Sequence, residues 1–242
     1  MRTAIFSALP HELKQTVRNL NIIEEVRNPF KILFAEHSFH EIILVETGMG
    51  SHNAEAAFEH VLAKYGPDFI VSMGFGGALY SGATVGDLVY ASRVFYIGGK
   101  LEETIELPRA ARIFGRLSGE ITMREGSILT LQRLMTKSEI KQIMPQIPFP
   151  VCDMETFPLA RLSMHKGLPF LAIRSITDRA DEEISYELFD ISDEFGQYRP
   201  SRALRLLFSK PKLIPEVAKL GRNSRIASNS LWYAVSHLVE IL

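Results

Sequence analysis

The chain has 242 residues, with 27 Lys+Arg against 28 Asp+Glu and a formal charge of −1. A hydrophobic content of 46% with 23% charged residues excludes disordered, collagen-like and coiled-coil classes. The single cysteine, Cys152, excludes an internal disulfide or a Cys-based zinc site and points to a reducing cytoplasm. The near-zero charge argues against a nucleic-acid partner. Met1 to Pro10 is too short for a signal-peptide core, and no apolar run approaches the roughly 20 residues that span a bilayer.

Thr3–Ala8 is a β-branched and aromatic run that reads as a strand, with Pro10-His11-Glu12 just past its carboxyl end. Lys31–Glu36 and Glu41–Glu46 read likewise, with His37 and His40 flanking a hairpin turn. Thr47-Gly48-Met49-Gly50 then leads into Ser51–Lys64, where Ala54, Ala57, Phe58, Val61 and Leu62 recur at helical spacing. This turn either brings backbone N–H groups of a helix start to a ligand or is a plain connection capped by Ser51.

Asp68–Met73 is the strongest strand and runs into Ser72-Met73-Gly74-Phe75-Gly76-Gly77-Ala78. Ligands of open α/β sheets sit beyond strand carboxyl ends, so these glycines fit either close contact with a flat ligand or a structural turn. Further strands are expected at Asp87–Tyr96, Ser127–Leu131 and Pro169–Ile176. Cys152-Asp153-Met154-Glu155 opens a helical pattern over Met154–His165, where a carboxylate also complements the helix dipole. Ser175-Ile176-Thr177-Asp178 closes the last long apolar strand, a position suited to a working carboxylate. The alternation predicts an α/β domain with a parallel or mixed sheet, and Glu12, Glu155 and Asp178 stand where three element ends could converge on one cleft.

Other chemistries find little support. The seven histidines form no metal set, no G-x-S-x-G elbow occurs, and no His–Asn pair can be assigned to Cys152 as a nucleophile. The tail is different. Arg199–Arg225 holds eight basic residues against Glu216, so it carries +7 and the remainder −8. Pro211 and Pro215 are expected to cut it into short helices, before a final helix with Leu231, Trp232, Val235, Leu238, Val239 and Leu242 on one face. Two readings stay open: peripheral contact with an anionic membrane surface, or packing of the apolar side on the main domain or a partner subunit.

In order over roughly residues 1–183, Ala8-Leu9-Pro10-His11-Glu12, Thr47-Gly48-Met49-Gly50, Gly74-Phe75-Gly76-Gly77, Val85-Gly86-Asp87, Asp153-Met154-Glu155 and Ser175-Ile176-Thr177-Asp178-Arg179-Ala180-Asp181 resemble the nucleoside phosphorylase/nucleosidase family. The basic tail is similar to that of its hopanoid-associated branch, whose members are thought to remove adenine from an adenosylated lipid. The resemblance implies a three-layer α/β/α fold with a mixed central sheet, a catalytic domain over 1–195 and a basic helical extension over 196–242. It also implies a cytoplasmic homodimer that cleaves the N-glycosidic bond of an adenosine-like nucleoside with neither cofactor nor metal.

By the same resemblance Asp178 is the acid that protonates the departing purine, and burial would help it hold that proton. Glu155 binds the ribose hydroxyls and favours the cationic sugar, with Met154 against the ribose. Glu12 orients and deprotonates the attacking water. Gly76 and Gly77 lie near the base, Gly50 belongs to the substrate-binding set, and Phe75 either stacks on the base or narrows the pocket. Phosphorylases of the family hold phosphate with arginines in the first loop and the glycine-rich segment. This chain has Glu12 in the first and no arginine in the second, which favours water as nucleophile over phosphate. Phosphorolysis and a non-catalytic nucleoside-binding module remain the alternatives.

Overall fold

The computed structural model describes residues 1–37, 40–117, 122–183 and 200–241. The first β-α unit is β1 (Arg2–Ser7) and α1 (Pro10–Asn19). Three strands follow, β2 (Asn21–Val26), β3 (Lys31–His37) and β4 (His40–Glu46), and then α2 (Ser51–Tyr65). The middle of the chain gives β5 (Phe69–Ala78), β6 (Leu88–Ile97), β7 (Leu101–Glu106), α3 (Pro108–Leu117), β8 (Met123–Leu131) and α4 (Lys137–Ile143). It ends with β9 (Pro150–Asp153), α5 (Thr156–His165), β10 (Phe170–Asp178), α6 (Pro200–Ser209), a 3-10 turn (Pro211–Leu213) and α7 (Ile214–Ile241).

The ten strands among the described residues belong to one mixed sheet. One half is open, running β5-β1-β4-β3-β2, with β1 parallel to both neighbours. The other half closes on itself: β5 pairs β10, β10 pairs β6, β6 pairs β8, β8 pairs β9, and β9 returns to the end of β5. β5 is the shared wall, and its apolar run is buried along both neighbours. Helices flank the sheet in two groups, α2 against α5 and α1 with α3 against α7, which gives the α/β/α layering.

The strand expectations fall on β1, β3, β4, β5, β6, β8 and β10, whereas β2, β7, β9 and the short α4 carry no strong periodic signal. Pro215 does not break a helix. It lies in the first turn of α7, where a missing N–H costs nothing, and the helix is 28 residues long in all. Leu231, Ala234, Val235, Leu238 and Val239 of α7 are buried in the main hydrophobic cluster with β1, β5 and β10. Its apolar face is therefore core. The boundary expected at 195/196, Arg199 and Leu242 lie outside the described residues.

A buried ion pair staples β9 to β10. Arg174, 2% exposed, places Nη2 2.6 Å and Nε 2.9 Å from Asp153 Oδ2. Ser72 Oγ accepts from Arg174 Nη2 at 2.8 Å, and Thr130 Oγ1 donates to Asp153 Oδ1 at 2.7 Å. Removing one member leaves an uncompensated buried charge. Asp153→Ala is expected to cost about 3–5 kcal/mol, read as a fall in the urea midpoint, and Arg174→Met in the same chain recovers most of the loss.

Candidate active site

Glu12 is placed by helix chemistry. Pro10 opens α1, and Glu12 in its first turn accepts the Leu9 N–H on Oε2 at 2.9 Å, one half of a capping box. Its Oε1 accepts the Phe75 N–H of β5 at 2.8 Å, so one buried carboxyl bridges the ends of two neighbouring strands. A Cβ on Gly74 would lie 2.8 Å from that Oε1. Burial raises the Glu12 pKa, while the N–H groups of Phe75 and Leu9 and the charge of Arg174 oppose it.

Glu155 stands between β9 and α5. Its Oε1 accepts the Gly50 N–H at 2.7 Å, which brings the turn before α2 to the same place. Burial, then the charge of Asp153, pushes the Glu155 pKa up to about 8. Near neutral pH it therefore holds its proton. Asp178 closes β10 after a bulge between Ile176 and Asp178 that sets it opposite Gly77. A Cβ at Gly77 would lie 2.8 Å from Asp178 Oδ2, so this glycine makes room for the carboxyl. Asp178 is 6% exposed, accepts from Thr177 Oγ1 at 2.8 Å and pairs with Lys137 Nζ at 2.5 Å.

These groups border one cavity of about 440 Å³. Glu12, Met154, Glu155, Phe75, Gly76, Gly77 and Asp178 all line it, with Lys137, Asp153 and Glu183. Leu9, Met49, Leu131, Leu134 and Met135 add apolar lining. Gly50 does not line the cavity; it supports Glu155 through its N–H. Glu12 and Glu155 also share, with Arg174 and Ser72, a recess of about 10 Å³, close to the room one water needs. Cys152 is on the wall, but burial and the nearby Asp178 push its thiol up to about 12, which makes it a poor nucleophile. Among the described residues, no three of His, Cys, Asp and Glu are grouped as a metal site.

The glycine-rich segment thus serves two carboxyl groups as well as the open wall. Lys137, Arg174 and Glu183 lie outside the sequence motifs, and Thr177 lies within one without an assigned role. Two of them leave a trace in the sequence. Arg174 interrupts an otherwise apolar strand, which requires a buried partner. Lys137 occupies the first turn of a helix capped by Thr136, where a cation opposes the dipole and needs another reason to be there.

The phosphorylase superfamily model matches residues 2–207. A 5'-methylthioadenosine/S-adenosylhomocysteine nucleosidase of Buchnera aphidicola is 23% identical over 226 residues, covering 86% of this chain and 97% of the relative. One of Maridesulfovibrio salexigens is 24% identical, covering 80% and 93%. Among solved structures, the nucleosidase of Neisseria meningitidis in complex with methylthio-immucillin-A superposes with a TM-score of 0.72 at 18% identity, covering 100% of this chain and 99% of that one. The futalosine hydrolase of Helicobacter pylori gives 0.70 at 15% identity, covering 98% of each.

The raised Glu155 pKa sets a stability signature. Between pH 4.5 and about 8 the unfolded chain has released this proton and the folded chain keeps it, so stability falls across that window and levels off above it. Glu155→Gln removes that slope. At pH 8 the variant is expected to be the more stable by at least about 1 kcal/mol, a Tm rise of roughly 2–4 °C, and at pH 4.5 the difference vanishes.

Proposed function

The chain belongs to the phosphorylase superfamily, and from that premise we propose that it is a purine nucleosidase acting on an adenosine-like nucleoside. The observation that carries the choice of water over phosphate is the charge of the cavity wall. Glu12, Asp153, Glu155, Asp178 and Glu183 line it, and Lys137 is its one cation among the described residues. That lysine is engaged by Asp178, and Arg174 behind the wall is engaged by Asp153. A phosphate dianion beside Glu12 would meet like charge in a low-dielectric space with no free cation.

In this reading the purine lies along Phe75, Gly76 and Gly77 with its ring nitrogen at Asp178, and the ribose lies between Met154 and Glu155. As the glycosidic bond lengthens, positive charge grows on the sugar and draws Glu155 toward its carboxylate form. Glu12, fixed by two backbone N–H groups, takes the proton of the incoming water. Asp178 passes a proton to the purine, so a neutral base departs.

The apolar lining residues Leu9, Met49, Leu131, Leu134 and Met135 support an apolar 5′ substituent. A lipid-linked adenosine of the hopanoid type is the finer reading. It is supported by the cationic residues of α6 and α7 and by the exposed Phe208, which suit a lipid surface. No helix among the described residues is long and apolar enough to cross a membrane. A homodimer in the cytoplasm, touching the membrane peripherally, completes the proposal.

The test is base release from adenosine, methylthioadenosine and an adenosylated lipid, with and without inorganic phosphate. Turnover independent of phosphate is expected, and Asp178→Asn and Glu12→Gln should each lower kcat by about 10²–10⁴-fold. Strict dependence on phosphate, or unchanged activity in both variants, would refute the proposal.

A further inference from the structure

Lys137 is 5% exposed, sits at the start of α4 and lines the catalytic cavity. An ammonium has three protons, and all three are spent on the Asp178 segment. One goes to Asp178 Oδ2 at 2.5 Å, one to the Asp178 main-chain oxygen at 3.3 Å, and one to the Arg179 main-chain oxygen. Glu183 accepts the Lys137 backbone N–H at 3.0 Å and fixes the helix start that carries it. A buried ion pair is costly against an apolar pair of the same volume, so the retention of Lys137 with Asp178 at the cavity calls for a functional reason.

We infer that Lys137 is a positioning residue of the acid: it aims Asp178 at the base and supplies, through Asp178, the proton that the purine carries away. This deepens the nucleosidase reading and rests on it. Lys137 Nζ faces Asp178 Oδ2 at 2.5 Å, so a proton on the ammonium lies one hydrogen bond from the carboxyl. As the C–N bond breaks, its electron pair goes to the purine. One proton leaves Lys137 Nζ for the Asp178 carboxyl, and the carboxyl proton passes to the purine ring nitrogen. The pair is left as amine and carboxylate. The sugar gains its C–O bond from water, whose proton goes to Glu12 and then to solvent, and Lys137 is reprotonated from solvent once the base has left.

The variants are Lys137→Met and Lys137→Arg, assayed in the full chain on methylthioadenosine and on 4-nitrophenyl riboside, whose phenolate departs without a proton. Lys137→Met should lower kcat on the nucleoside by about a hundredfold or more, with KM changed less than about threefold. The loss on the nitrophenyl riboside should stay under about tenfold, because no leaving-group proton is needed there. Lys137→Arg keeps the charge and the clamp, but a guanidinium does not surrender its proton, so nucleoside turnover should stay as low as in Lys137→Met. Full recovery in Lys137→Arg would reduce Lys137 to a clamp and overturn the inference. So would equal losses on both substrates, or a Lys137→Met kcat within threefold of wild type. A wild-type protein that releases no purine overturns the nucleosidase reading instead, and the inference with it.

Discussion

Like charges crowd one small space in this protein. Glu12, Asp153, Glu155 and Asp178 all border the same cavity, and repulsion between carboxylates held in such a low-dielectric wall is far stronger than in water. Each is tolerated by a different device. Asp153 is neutralised by Arg174, Asp178 by Lys137, Glu12 by two backbone N–H groups, and Glu155 by keeping its proton up to a pH of about 8. The fold follows from the same need. A bulge in β10, glycines at 74 and 77, and the closure of β9 onto β5 bring these groups and their partners within reach. The arrangement leaves Glu155 able to answer a cation that forms only as the substrate breaks, which is where electrostatic catalysis is most effective.

Glu12, Glu155 and Asp178 could be picked out from the chain because each adjoins a legible element: Glu12 follows β1 and Pro10, Glu155 precedes α5, and Asp178 ends the apolar run of β10. What could not be read was who holds them. Lys137 lies 41 residues before Asp178, and Asp153 lies 21 residues before Arg174, so neither partnership shows in local spacing. Gly50 shows the same limit: its turn is visible in sequence, but its role, an N–H given to Glu155 across 105 residues, is tertiary. β9 has only four residues, and β2 alternates weakly because most of it is exposed. Pro215 misled for the opposite reason, since a proline ends one helix and begins another with equal ease.

The charge arithmetic takes on structure at the C-terminus. An acidic body and a basic tail sum to −1, and α7 belongs to both. Its buried face completes the core over β10 and α1, while Asn223 Nδ2 donates to the Thr177 main-chain oxygen at 2.8 Å, one residue from Asp178. Lys219 pairs with Glu182 at 2.9 Å just beyond the same strand end. The helix that presents the cationic surface therefore also braces the segment that carries the proposed acid.

The choice of nucleophile is tested most directly by isotope labelling. A single turnover of methylthioadenosine in water enriched in oxygen-18, with inorganic phosphate present, fixes the origin of the oxygen on sugar carbon 1. Label in the free sugar hydroxyl, with no sugar phosphate formed, is the result expected of a cavity whose one lining cation among the described residues is already paired. An unlabelled sugar 1-phosphate as the first product would contradict it.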